Sequence, residues 1–152
     1  MTAGRAAKSA ARLYAVQALF QMEAGDQSLD AVRAEFLAHR FGAEDEGGVE
    51  WVDGHVDLFA ALIAEAVNHQ ARIDQATNAA LVDRWPIARI DPVLRALFRA
   101  GGAELTLSET PVKVVISEFV EVAKAFFPEG KEPGLVNGVL DTMARALTAA
   151  DS

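Results

Sequence analysis

A chain of 152 residues with no cysteine and a formal net charge of −8 has room for one buried core; disulfides, thiolate metal sites and cysteine nucleophiles are excluded. No apolar run reaches the roughly 18 residues a membrane span needs, and the N-terminus has no apolar signal core, so a cytoplasmic protein without membrane contact is expected. The charge is uneven: Arg5, Lys8 and Arg12 give the first twelve residues +3, which leaves −11 for the rest. A basic arm on an acidic body implies two kinds of surface, one for an anion and one for something else.

The hydrophobic period is close to 3.6 almost throughout, and no stretch alternates as a strand does, so the expected fold is all-α with about seven helices. The first helix is predicted from about Ser9 to Glu23, with Leu13, Val16, Leu19 and Phe20 on one stripe and Gly25 as its stop. The second runs from about Leu29 to Phe41, and Gly42 to Gly48, with three glycines and three acids, reads as a loop. Val52, Val56, Phe59, Ile63 and Ala66 mark a third helix over about Val49 to Gln70, and a shorter one spans about Ile73 to Val82. Proline in Trp85-Pro86 biases the tryptophan away from helical geometry and marks a break.

Asp91-Pro92 and Thr110-Pro111 are two copies of one start signal, an N-cap oxygen followed by proline at the first helical position. They open a fifth helix, to about Leu105, and a sixth, from about Val112 to Phe126. Gly101-Gly102 within the fifth costs on the order of 1 kcal/mol per glycine relative to alanine, which points to a closely packed backbone there. The sixth shows Ile116, Phe119, Val120 and Ala123 on one face; after a loop from Pro128 to Gly134, the last helix buries Val136, Val139, Leu140, Met143 and Leu147. One domain with helical subdomains over about 8–83 and 91–149 is the expected organisation, and no internal repeat is evident.

The segment from Pro111 through Val114, Glu118 and Glu121 to Lys124, followed by Val136-Asn137-Gly138-Val139-Leu140-Asp141, resembles the signature of the NusB family. Ala15 to Phe20, Trp85-Pro86, Leu97 to Ala100 and Glu104-Leu105 agree, so the resemblance spans about Ala7 to Leu147. It implies an all-α fold of two helical subdomains. It also implies binding of the boxA sequence in ribosomal RNA leader transcripts together with NusE, a small-subunit ribosomal protein, within a complex that keeps RNA polymerase from terminating. The family includes homodimers as well as monomers.

Beside that resemblance, the residues divide into candidates for RNA and candidates for the partner. Arg5, Lys8 and Arg12 are candidate phosphate contacts; neutralising about three phosphates gives a salt slope of only about −2 for single-stranded RNA, so weak affinity in isolation is expected. The alternative is a frayed terminus with incidental basic residues. Phe127, beside Pro128, either closes the core or stacks on an unpaired base, a contact of about 1–3 kcal/mol; Phe126 falls on the core face. The resemblance implies an RNA-contacting aromatic at Phe127 and often a second where this chain has Leu135. Arg99 can pair with phosphate or with a carboxylate of a neighbouring helix. Lys113 and Lys124 are RNA contacts or a solvated face, and Asn137 is as readily structural.

The acidic body suits a basic ribosomal protein. The resemblance places Phe20 where an aromatic meets that partner, although Phe20 also lies on the core stripe, and it puts Leu94 where relatives carry an acidic partner contact. The loop Glu129-Gly130-Lys131-Glu132-Pro133-Gly134 departs from the family's acidic-polar run. No catalytic constellation, metal site or cofactor is expected: His39, His55 and His69 lack a second histidine at i+4 and read as surface or core-edge residues, and Glu44-Asp45-Glu46 lie in a loop with no apolar wall. Two other functions fit the helical pattern, a self-associating interaction module and a stand-alone relative of the NusB-like domain of RNA cytosine methyltransferases.

Overall fold

A computed structural model describes residues 3–41, 53–81 and 89–149. Among these residues seven α-helices occur and no strand: α1 Ala3–Gly25, α2 Leu29–Phe36, α3 Asp53–Asn68, α4 Gln70–Ala80, α5 Pro92–Leu107, α6 Val112–Phe126 and α7 Glu132–Ala149. The predicted loop at 42–48 and the break at Trp85-Pro86 lie outside the described residues.

The helix ends show which local signals act. Asp91 accepts a hydrogen bond from the Val93 amide at 2.7 Å and Pro92 opens α5, as the Asp-Pro signal predicts. The second copy works differently: Pro111 itself is the N-cap residue of α6, and no side chain caps that helix, so Thr110 does not play the part expected of it. At the end of α1 the left-handed residue is Asp26 (φ 52°) rather than Gly25, and the Gln27 amide reaches back to the Met22 carbonyl at 3.2 Å. The second predicted helix ends early. After Phe36 the chain widens into a π-helical turn, Leu37–Phe41, and Phe41 then packs against Tyr14, His55 and Phe59 with ring centroids 4.7 to 5.3 Å apart. His55 is thus fully buried, deeper than the core-edge position expected of it.

The core is one continuous cluster that crosses from residues 8–83 to residues 91–149. α5 forms its centre, packed against α1, α3, α4, α6 and α7, while α1 lies mainly against α3 and α5. α5 fits there because its middle is stripped: a Cβ at Gly102 would lie 2.5 Å from Ile73 Cγ2 and 3.2 Å from Met143 Cε, and one at Gly101 would lie 3.0 Å from Leu140 Cδ2. The glycines admit α4 and α7 at a distance alanine would forbid. α1 approaches through Ala7, Ala11, Ala15 and Ala18, all buried.

Two glycine substitutions separate packing from propensity. Gly102→Ala is expected to destabilise by about 1–3 kcal/mol through overpacking. Gly138→Ala, where the added Cβ meets nothing within 4 Å, should stabilise by up to about 1 kcal/mol through helix propensity alone. Urea denaturation of both variants measures the contrast.

Candidate nucleic-acid interface

Two charge networks and three clefts organise the surface. In the first network Arg12, on α1, is 3% exposed. Its Nε and Nη2 donate to the two carboxylate oxygens of Glu104 on α5 at 2.7 and 2.8 Å, and Nη1 lies 3.2 Å from Glu118 on α6. Ser9 Oγ donates to the same Glu118 carboxylate at 3.1 and 3.2 Å. Burial opposes the guanidinium charge, but the bonds to Glu104 and the charges of Glu104 and Glu118 outweigh it and hold the Arg12 pKa above its ordinary value. Arg12 is therefore buried and is not the surface phosphate contact that its place in the basic arm suggests. It is a buried pin joining α1, α5 and α6, set at the base of the turns that carry Arg5 and Lys8, both exposed.

The second network joins α1, α4 and α5. Arg99 pairs bidentately with Asp74 at 2.9 and 3.0 Å and lies 3.7 Å from Glu23, which Arg95 grips at 2.7 and 2.9 Å. Of the two roles open to Arg99, the carboxylate pairing is the one the fold uses. Burial counts against its charge, yet the Asp74 bonds and the neighbouring acids raise its pKa. The Glu23 carboxyl is held below its ordinary value of 4.5, first by the Arg95 hydrogen bond, with the charges of Arg95 and Arg99 outweighing the effect of burial.

What remains on the outside divides by face. A cleft of about 500 Å³ between α1 and α6 has Arg5, Ser9, Ser117 and Glu121 in its lining. A second, of about 630 Å³ between α6 and α7, includes Lys113, Ser117, Glu121, Lys124 and Asn137. Ser117 and Glu121 line both, so the two clefts flank one ridge of α6, and the structure brings Arg5, Lys113 and Lys124 around it. Phe127 follows at the end of the same helix, half-buried against the core, with its carbonyl accepting from the Gly130 amide at 3.2 Å.

The third cleft, of about 510 Å³, is largely apolar: Phe20, Phe36, Val93 and Phe126 line it, with Gln21 and Arg40 among its polar groups. Phe20 is half-buried there, neither sealed in the core nor free. Phe126 belongs to this wall rather than to the interior; it follows Ser117 by nine residues, about 180° around a helix, so α6 turns one face to each kind of cleft. Leu94, expected as a partner contact, is 4% exposed and belongs to the core; its neighbour Val93 lines the cleft instead. Among the described residues no three His, Asp or Glu side chains converge as metal ligands would, and no described helix is long and apolar enough to cross a membrane.

Glu104 and Glu118 were not singled out by sequence reasoning. A signal existed for the first: Glu104 shares a stripe with Leu97, Ala100 and Gly101, and an acid on a buried stripe demands a cation. Which cation answers was not readable, since Arg12 lies 92 residues away.

An all-helical domain that sets a cation-bordered ridge apart from an apolar cleft has two surfaces of unlike chemistry. Comparison with known proteins gives the family. The NusB family model matches residues 9–145. The transcription antitermination protein NusB of Maricaulis maris (strain MCS10) is 48% identical over 139 residues, covering 91% of this chain and 86% of that protein. The protein of the same name from Rhodopseudomonas palustris (strain BisB18) is 45% identical over 143 residues, covering 93% and 83%. Among solved structures, NusB of T. maritima superposes with a TM-score of 0.74 at 27% identity, covering 91% of this chain and 90% of that one. A chain from the crystal structure of antitermination factors NusB and NusE in complex with dsRNA reaches 0.76 at 23% identity, covering 92% and 97%, and shares the fold. The chain belongs to the NusB family. The name its relatives carry is that of a regulatory factor and not of an enzyme.

Two outcomes follow from the networks. Arg12→Met leaves Glu104 buried without its cation and is expected to cost on the order of 3–5 kcal/mol, whereas the Arg12→Met, Glu104→Leu double variant recovers much of the loss; urea denaturation midpoints read both. Because the folded Glu23 pKa is depressed, its contribution to stability is present above the unfolded value and lost as pH falls through the folded one. Wild type should therefore melt above Glu23→Gln at pH 7, and the gap should close on acidification below about pH 4.5, as thermal unfolding monitored by circular dichroism would show.

Proposed function

We propose that this chain is a cytoplasmic transcription antitermination factor that, with NusE, binds the boxA RNA of ribosomal RNA leader transcripts and supports processive transcription of those operons. Family membership over residues 9–145 carries the proposal, and the separation of the two surfaces supports it. The α6 ridge takes the RNA: Arg5, Lys8 and Lys113 neutralise phosphates, with Phe127 at the end of the helix available to stack on a base. Arg12 and Arg99 act from within, by positioning helices. With Arg12 withdrawn, the arm keeps Arg5 and Lys8, and adding Lys113 restores a salt slope of about −2. Such shallow electrostatics give little affinity alone, which leaves discrimination to the complex with the partner.

NusE docks on the apolar cleft, where Phe20 and Phe126 offer aromatic surface and Gln21 and Arg40 offer polar contacts at its edge. The acidic body draws a basic ribosomal protein toward it. The domain works as one unit with helical subdomains over about 8–83 and 91–149, the arm and α6 presenting RNA contacts while α1 and α2 present the partner.

Fluorescence anisotropy with boxA and scrambled RNA, each with and without NusE, tests this. The expected result is weak binding by the chain alone and a clear preference for boxA once NusE is present. Phe20→Ala should weaken association with NusE about tenfold or more while leaving the weak RNA binding of the isolated chain in place. If NusE neither binds nor sharpens the preference, the proposal fails.

A further inference from the structure

We infer that the α6–α7 cleft is a base-reading pocket for single-stranded RNA, in which Lys113 holds a phosphate while Asn137 and Asp141 select a base that carries an exocyclic amine. This rests on the RNA-binding function proposed above and adds to it the site and the chemical class of base.

The cleft has two unlike walls. Lys113 stands on the α6 side together with the Lys124–Glu121 pair, Asn137 and Asp141 stand on the α7 side, and Val120 and Pro133 lend apolar surface between them. It is an open groove of about 630 Å³ rather than an enclosed cavity, a shape that suits an extended strand. Lys113 is exposed and forms no ion pair with any described residue, in a chain with 22 acids against 14 basic residues. The charges that are paired here are only loosely so: Lys124 meets Glu121 at 3.0 Å and Asp141 meets Arg145 at 2.7 Å, all four side chains more than half exposed. Pairs of that kind contribute little and exchange readily for a ligand. Asn137 is exposed and makes no side-chain hydrogen bond to a described residue, so its amide is free to donate and accept.

The backbone next to Asn137 adds an independent observation. Gly134 and Gly138 lie one helical turn apart in α7, and a Cβ on either would meet nothing within 4 Å. Internal packing explains Gly101 and Gly102, but it does not ask for these two. Glycine weakens a helix, and a bare flank beside an unsatisfied amide leaves room for a flat ring to lie against the helix.

The polarity of the walls sets the direction of binding. A phosphate is attracted to Lys113 and repelled by Asp141, so the strand runs along α6 with its bases turned toward α7. An ionised carboxylate only accepts hydrogen bonds. It can take one from the amine of cytosine, adenine or guanine, as acids do when they read cytosine, but it faces only carbonyl oxygens and one ring N–H on uracil. Asn137 supplies the complementary donor and acceptor. The pocket should therefore disfavour uracil.

Anisotropy titrations of the intact chain with labelled oligo(A), oligo(C) and oligo(U) RNA, at two salt concentrations, test the assignment. Wild type is expected to bind oligo(A) or oligo(C) at least about fivefold more tightly than oligo(U). Asp141→Ala should bind all three more tightly, because a negative charge is lost and Arg145 is released, yet lose most of that ratio; a merely structural role would not raise affinity and flatten discrimination together. Asn137→Ala should also reduce the ratio. Lys113→Ala should weaken all three alike and make the salt slope shallower by about 0.7. Gly134→Leu, which fills the bare flank within the cleft lining, should weaken RNA binding without lowering the melting temperature. Unchanged discrimination in both Asp141→Ala and Asn137→Ala, with RNA still bound, overturns the pocket and leaves the broader function standing. Loss of NusE association in these variants with RNA binding intact would make the cleft a protein-docking surface and also overturn it. Failure of wild type to bind any RNA, with or without NusE, defeats the broader function itself.

Discussion

A guanidinium taken out of water must be met by carboxylates, and in this chain that requirement locks three helices together. Arg12 reaches Glu104 on α5 and Glu118 on α6, and the two buried charges, Arg12 and Glu104, would be costly if either were left alone. The angle and height of α1 against the rest of the molecule are therefore set by a hydrogen-bonded geometry as well as by apolar contact, which by itself tolerates sliding. Ser9, one turn earlier, adds its hydroxyl to the same carboxylate. The arm that projects beyond is thus an extension of a pinned helix, and Arg5 and Lys8 depart from a defined base.

A second clasp, Arg95 and Arg99 with Glu23 and Asp74, holds the other end of α1 and ties α4 to α5. Between the clasps α1 presents the buried alanines Ala15 and Ala18 beside Val16 and Leu19, while on α5 two glycines let Ile73, Leu140 and Met143 come close. Polar pairing fixes register at both ends and close approach fills the middle. One consequence is a surface with few spare cations, since much of the arginine is spent inside on structure. The acidic character of the exterior follows from composition, 22 acids against 14 basic residues, since each of these arginines is matched by at least one carboxylate.

The division of surfaces follows from α6. Its amphipathic face seals the core through Val115, Phe119 and Ala123, its outer ridge separates two clefts of mixed polar and apolar lining, and its last turn delivers Phe126 to an apolar cleft shared with α1, α2 and α5. A single helix therefore borders both the cation-flanked ridge and the apolar cleft.

Much of the fold was legible in the chain itself. The 3.6-residue period, Asp91-Pro92 and the paired glycines of α5 identified the helices, the start of α5 and a close packing point, because each of these depends on forces within a few residues or on the volume of one side chain. The family signature around α6 and α7 was legible for the same reason, as a local string. The sites were less so. Arg12 and Arg99 carry side chains that suit a surface role, and the family resemblance alone put Leu94 at the partner surface; the folded arrangement pairs the two arginines with Glu104, Glu118 and Asp74 and places the leucine in the core. Phe20 and Phe126 looked like core by periodicity, yet they face a cleft because α2 and α5 leave a gap there. Periodicity reports which side of a helix is apolar; whether a neighbour covers that side, and which distant charge answers a buried one, is decided by contacts between residues far apart in the chain, and only tertiary structure contains those.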